Sequence, residues 1–339
     1  VIAHDIVDLS HPRRLHLLGI GGSGMAPFAR LLLRRHALTG ADARESGNIA
    51  RLRREGVEIR TGADGDRVPA DAEAVVFSAA LPSNAPPLEE ARRRGLPVLK
   101  YARAVGLFAE DRRTWAVAGT HGKTTTTGML AWVLRRAGYS PDVLIGGSVP
   151  QCGDEAEAPS RHFVLEACEY DRSFLHLRPA VAIITNIEAD HLDYYRDIVE
   201  IREAFRQFAT QVSDLLVIHE SLREEIGRAG GVRARVRTFG TSPEADLRVS
   251  PHRGRGFQAR DQECPMRLPG FHNVLNAAAV LQAACQEGVP FEVVRSALAE
   301  FRGVGRRLEV VGQPRGVSVI DDYAHHPTEV AAGLKALRD

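Results

Sequence analysis

The chain has 339 residues and a mass of 37.0 kDa, too long for one ordinary core and consistent with two or three domains. Hydrophobic residues make up 44% and charged residues 26%, which indicates packed globular structure rather than disorder. Lys plus Arg number 44 against 43 Asp plus Glu, so there is no basic excess to suggest a nucleic-acid partner. Cys152, Cys168, Cys264 and Cys285 form no C-x-x-C pair, which argues against a zinc site and leaves reduced, cytosolic thiols as the favoured reading. No apolar run approaches the roughly 20 residues of a membrane span, and no signal peptide is visible.

In chain order, residues 15–20 read as a buried strand and 25–35 as a helix. Further strands are predicted at 57–60, 74–78 and 97–99, with a helix over 88–94 between the last two. This alternation implies a parallel sheet covered by helices. Between the first strand and helix lies Gly19-Ile20-Gly21-Gly22-Ser23-Gly24, a G-x-G-x-x-G loop. Glycines there let the backbone turn tightly and approach a diphosphate, and the following helix offers unpaired N–H groups. Asp42, near the end of a second strand, is where a dehydrogenase would hold a ribose hydroxyl. The loop points to a phosphate-bearing ligand without telling NAD from UDP.

A second αβ run starts with a strand at 114–118 and a helix at 123–137 closed by Gly138. Between them run Gly119-Thr120-His121-Gly122-Lys123-Thr124-Thr125. Gly122-Lys123-Thr124 is the core of a phosphate loop, although Val117 stands where the full motif has its first glycine. Lys123 would reach the β- and γ-phosphates of ATP, and the Thr124 hydroxyl would ligate Mg²⁺. Two more apolar strands, 163–167 and 181–185, are followed by Glu166 at the end of one and His191 shortly after the other. Ligands gather at strand carboxyl ends in open α/β sheets, so both side chains are candidates for Mg²⁺ or Mn²⁺. A strand-end salt bridge for Glu166 and a surface role for His191 are the plainer alternatives. Residues 234–268 suggest an antiparallel patch. Helices follow at 274–286 and 291–300, then a linker at 312–316, a strand at 317–320 and a helix at 327–337.

Seven strings occur in one order: GIGGSGM at 19–25, GTHGKTTTT at 119–127, EACEYDRSFLHLRP at 166–179, TNIEADHLDYY at 185–195, PGFHNVLNA at 269–277, GVGRRLE at 303–309 and DDYAHHPTEV at 321–330. On these the chain resembles the Mur ligase family over almost its whole length. The resemblance implies an α/β protein with a Rossmann-like UDP-sugar-binding domain at 1–110. A central P-loop ATPase-type domain with a small antiparallel patch would occupy 111–315, and the start of a truncated, third Rossmann-like domain 316–339. It implies a cytoplasmic, ATP- and Mg²⁺-dependent ligase of peptidoglycan synthesis. The enzyme would join UDP-N-acetylmuramic acid to L-alanine through an acyl phosphate, without nucleic acid or a membrane span.

Carried over residue by residue, the resemblance gives Gly19, Gly21, Gly22, Ser23, Gly24, Asp42 and Ser78 to the sugar nucleotide. Gly119, Thr120, His121, Gly122, Lys123, Thr124, Thr125, Asn276, Arg306 (or its neighbour Arg307) and Asp321 fall to ATP. Thr124, Glu166 and His191 fall to the metal, and Lys123, His191 and His325 to catalysis, His325 as base or as positioning residue. Cys168 and Phe271 stand where the family often has aspartate and arginine. Three other readings remain: a recycling ligase that adds a preformed tripeptide, a non-catalytic nucleotide-binding fragment, and a nicotinamide oxidoreductase, which would leave the second loop idle. With the third domain only begun, residues 317–339 are expected to be poorly ordered or docked on the central domain, and this chain alone to be nearly inactive.

Overall fold

The computed structural model describes residues 7–62, 67–152, 160–252 and 256–338. The chain divides into two compact units, Val1–Arg112 and Arg113–Asp339. The first runs β1 (Arg14–Leu18), α1 (Met25–Leu33), β2 (Ala37–Asp42), α2 (Gly47–Arg54), β3 (Glu58–Thr61), β4 (Ala74–Phe77), α3 (Pro86–Arg93), β5 (Val98–Lys100) and α4 (Tyr101–Ala109). Its strands form one sheet in the order β3-β2-β1-β4-β5, parallel throughout. The central strands are buried on both faces, as Leu15, Leu17, Leu18, Val75 and Val76 show, which is what helix-covered parallel strands require. Strand order reverses between β1 and β4, so their carboxyl ends flank a switch-point crevice. The Gly19–Gly24 loop and Ser78 sit there.

The second unit contains β6 (Arg113–Ala118), α5 (Lys123–Arg136), β7 (Asp142–Leu144), β8 (His162–Glu166), β9 (Val181–Ile184), α6 (Ile198–Thr210), β10 (Leu215–His219), β11 (Arg235–Gly240), β12 (Leu247–Pro251), β13 (Gly256–Ala259), β14 (Gln262–Pro265), α7 (Phe271–Gln286), α8 (Phe291–Glu300), β15 (Glu309–Gly312), β16 (Val319–Asp321) and α9 (Pro327–Arg338). A nine-stranded sheet runs β14-β13-β12-β11-β10-β9-β6-β8-β7. A single core joins this sheet to α5, α7 and α8 through Trp115, Met129, Ile183, Val217, Val280 and Phe301. Among the described residues no helix is long and apolar enough to cross a membrane.

Two expectations change. The antiparallel patch is confined to β12, β13 and β14, because β11 pairs in parallel with both β10 and β12. Within β11, Thr238, Phe239 and Gly240 are buried, and Arg235 pairs with Glu287 at 3.3 Å. The stretch 312–316 is a hairpin connection between β15 and β16, which pair antiparallel. Beyond it, α9 lies against α7, with Ala336 buried. Residues 317–338 are thus docked on the second unit.

Candidate functional site

In the first unit the loop after β1 is tied to the neighbouring strand by its own backbone. Gly19 N donates to Ala41 O at 2.8 Å, and Gly21 N to Asp42 Oδ2 at 2.8 Å. Asp42 therefore shapes the loop. Asn48, in the first turn of α2, donates to Gly21 O at 3.0 Å, and Ser46 caps that helix. Gly19 has φ +76°, and a Cβ there would lie 2.8 Å from Ser78 Cβ. A Cβ on Gly21 would meet Ile49 at 2.9 Å. Gly22 and Ser23 are exposed.

In the second unit the loop after β6 is stapled to the loop after β9. Thr120 N donates to Asn186 O at 3.1 Å, Glu188 N to Thr120 Oγ1 at 2.8 Å, and His121 N to Asn186 Oδ1 at 2.9 Å. Thr185 Oγ1 donates to His121 O at 2.6 Å. Gly119 (φ +136°) leaves no room for a side chain, since a Cβ would come 2.1 Å from Thr185 Oγ1. Gly122 (φ +80°) turns the chain into α5, whose open N-terminus suits an anion.

Lys123 opens α5 and is nearly buried. Its Nζ donates to Gly119 O at 2.6 Å, Thr120 O at 3.0 Å and Glu169 Oε1 at 2.9 Å. Burial alone would lower its pKa, but the charge of Glu169 beside it outweighs this and raises it. Thr124 Oγ1 donates to Glu166 Oε1 at 2.9 Å, while Glu166 Oε2 accepts Gly146 N at 3.1 Å. A hydroxyl and a carboxylate facing each other at the phosphate loop are donors of the hard-oxygen kind that Mg²⁺ prefers. His191 adopts φ +54° and brings Nε2 to 3.8 Å from Glu169 Oε1, with the Tyr170 ring 5.0 Å away. His191 is thus linked to the loop through Glu169 and Lys123.

A cavity of about 430 Å³ opens over this loop. His121, Thr124, Thr125 and Asn186 line its phosphate end, and Leu222, Phe239, Leu268 and Leu275 give an apolar wall. Asn273 and Asn276, from the first turns of α7, also line it; Asn276 donates to Asn273 Oδ1 at 3.3 Å. Of the two adjacent arginines, Arg307 enters the cavity wall and reaches Thr124 Oγ1 at 3.4 Å. Arg306, with φ +60°, turns instead toward Asp321 at 3.5 Å and stacks on Tyr323, so neither Arg306 nor Asp321 lines the cavity; Asp322 does.

His325 also stays off the cavity wall. Its ring Nδ1 faces Tyr323 O at 3.0 Å, and its N–H donates to Glu329 Oε2 at 3.3 Å. Glu329 was not legible in the sequence as a site residue. Burial pushes its pKa up, but His121, the His325 N–H and Arg307 outweigh burial and hold it at about 2. Glu169, Asn186 and Glu188 lie inside the family-like strings, but nothing in the sequence distinguishes them as site residues.

Three family descriptions match the chain: the Mur ligase family catalytic domain over residues 14–113, the Mur ligase middle domain over 117–284, and the Mur ligase glutamate ligase domain over 306–339. Together with the two loops, they define the class: the chain belongs to the Mur ligase family, whose members are ATP-dependent ligases. Among its relatives is the UDP-N-acetylmuramate–L-alanine ligase of Acidothermus cellulolyticus, 42% identical, with 99% of this chain and 73% of the relative covered. The crystal structure of UDP-N-acetylmuramate–alanine ligase from Thermotoga maritima superposes with a TM-score of 0.81 at 30% identity, covering 96% of this chain and 77% of that one. The Neisseria meningitides ligase for UDP-N-acetylmuramate and L-alanyl-γ-D-glutamyl-meso-diaminopimelate gives 0.74 at 26% identity, covering 87% and 99%.

Proposed function

We propose that the protein joins UDP-N-acetylmuramic acid to L-alanine at the expense of ATP, in the cytoplasm, as a step of peptidoglycan synthesis. The observation that carries the ligase chemistry is the Thr124–Glu166 contact of 2.9 Å beside Lys123 at the α5 N-terminus. The choice of alanine rests on the relatives, among which 42% identity over 99% of the chain goes with that substrate. On this reading residues 1–110 hold the UDP portion at the Gly19–Gly24 loop, 111–315 hold ATP, and 316–339 close the nucleotide cavity from one side.

Thr124 and Glu166, with His191 nearby, would hold Mg²⁺, whose charge would be available to the phosphate oxygens. The muramoyl carboxylate attacks the γ-phosphorus and forms an acyl phosphate, with ADP leaving. The alanine amine, deprotonated by solvent, then attacks the acyl carbon; the acyl carbon–oxygen bond breaks, phosphate departs, and the proton released from nitrogen passes to phosphate or water. Two anions must meet in the first step. Lys123 answers this by exchanging Glu169 for phosphate oxygens, and Arg307 adds a second positive charge. We assign Asn276, with Asn273 close by, to the base of ATP; that both line the cavity supports the assignment. We read His325 as a positioning residue that acts through Glu329.

The test is a ligation assay on the protein expressed from its complete gene, with UDP-N-acetylmuramic acid, ATP, Mg²⁺ and either L-alanine or the L-alanyl-γ-D-glutamyl-meso-diaminopimelate tripeptide. Phosphate release that requires L-alanine, with a product heavier by one alanyl residue, is expected. A preference for the tripeptide would transfer the protein to the recycling reaction.

A further inference from the structure

The rim of the cavity carries a second set of donors, separate from the Thr124–Glu166 pair. His121 comes from the phosphate loop, Glu188 from the loop after β9, and His326 from the turn into α9. One ligand atom from each lies within 4.8 Å of the other two. The two imidazoles are 4.6 Å apart between centroids and tilted by 41°. His121 Nε2 is buried and makes no hydrogen bond, although Glu188 Oε2 is 3.4 Å away. On the other side of the ring, Nδ1 faces Glu329 Oε1 at 3.2 Å. A carboxylate on one ring nitrogen with the other left open is the arrangement that orients a metal-binding histidine. Glu188 is fixed in turn by Thr328 Oγ1, which donates to its Oε2 at 2.9 Å.

We infer that His121, Glu188 and His326 form a site for a borderline divalent cation of the Zn²⁺ class. Two imidazoles and a carboxylate suit zinc, which takes three protein ligands at about 2.0–2.2 Å and a water in the fourth position. Mg²⁺ prefers all-oxygen surroundings and is not the match. Ligand atoms as much as 4.8 Å apart must close to about 3.4 Å, the edge of a tetrahedron at zinc distances, a shift that we assign to torsions of the His326 and Glu188 side chains. His326 Nδ1 meets the Thr328 N–H at 3.3 Å, so ligation through Nε2, with its proton moved to Nδ1, gives up that one long bond. No thiol takes part. The ion joins three chain segments and so holds the start of α9 against the phosphate loop. The site shares no residue with Thr124, Glu166 or His191, and it does not depend on the ligase reading.

The experiment titrates ZnCl₂ into the nucleotide-free protein by calorimetry, with Co²⁺ absorption as a second readout. One Zn²⁺ per chain should bind, weakened at least about tenfold in His326→Ala and in Glu188→Gln. Glu166→Gln should bind as the parent does. Co²⁺ should give tetrahedral d–d bands without a thiolate charge-transfer band. Thermal melting checks that each variant is folded, and His326→Gln replaces any His326→Ala protein that is not. Absence of Zn²⁺ binding overturns the inference and leaves His121 as a ring packed between the carboxylates of Glu188 and Glu329. So does binding that neither His326 nor Glu188 substitution weakens, or a thiolate band.

Discussion

Lys123 shows what a single residue contributes before any nucleotide arrives. Its ammonium is held by two loop carbonyls and Glu169, whose side chain is only 3% exposed. Removing the charge of Glu169 leaves a buried cation short of its counterion, at a cost of roughly 3 kcal/mol. Glu169→Gln should therefore melt below the parent protein. It should also gain more from saturating ATP, because phosphate supplies the missing charge. Equal ATP-induced shifts in parent and variant melting curves would argue that Lys123 does not change partners.

Gly122 belongs to the same scale. At φ +80° it holds a backbone conformation that alanine rarely adopts, and a would-be Cβ 2.6 Å from Asn276 Oδ1 would push that side chain aside. Gly122→Ala should lose about 1–2 kcal/mol from the backbone alone and most of its ATP affinity, measured by calorimetry. The phosphate loop was legible in the sequence because its parts are contiguous. The choice between Arg306 and Arg307 was not, since the left-handed backbone at Arg306 decides which guanidinium turns inward. Glu329 reaches His121 from 208 residues away, and no local pattern announces such a contact.

At the scale of elements, the sequence showed most of the strands and helices that carry apolar periodicity. It concealed β11, where arginines alternate along a strand that is nonetheless internal, and α6, whose start is fixed by Asp197 accepting Glu200 N at 2.9 Å. β1 carries an unusual load. His16 is buried in it with Nδ1 2.8 Å from Thr39 Oγ1 on β2, and burial, with Arg60 and Arg94 adding to it, lowers its pKa from 6.5 to about 4. His36, just before β2, is lowered to about 4 mainly by burial as well.

A histidine depressed in this way is neutral in the fold but takes a proton when unfolded below pH 6.5. Its contribution is therefore constant above pH 6.5 and is lost as pH falls from 6.5 to about 4. For His16 the loss is roughly 3 kcal/mol. Hydrogen-exchange protection of β1 and β2 amides, corrected for intrinsic rates, should fall across that window, and fall less in His16→Asn. A flat profile in the parent protein would show that His16 titrates normally in the fold.

At the scale of the whole molecule, each of the two compact units carries its own glycine-bearing loop at the carboxyl end of a parallel strand. The hairpin of β15 and β16 was not legible in the sequence, because Gly312 to Gly316 reads equally as a linker and as a turn. On the proposed reading the two loops bind two different nucleotides, the sugar nucleotide on the first unit and ATP on the second.

The most direct test is paired calorimetry of UDP-N-acetylmuramic acid and Mg²⁺–ATP with the parent protein, Gly21→Val and Lys123→Ala. In Gly21→Val the new side chain meets Ile49, which lies within 2.9 Å of even a Cβ, and occupies the loop. It should abolish sugar-nucleotide binding and leave ATP affinity intact. Lys123→Ala should do the reverse. Unchanged sugar-nucleotide affinity in Gly21→Val, or loss of both ligands in either folded variant, would contradict the assignment of one nucleotide to each unit.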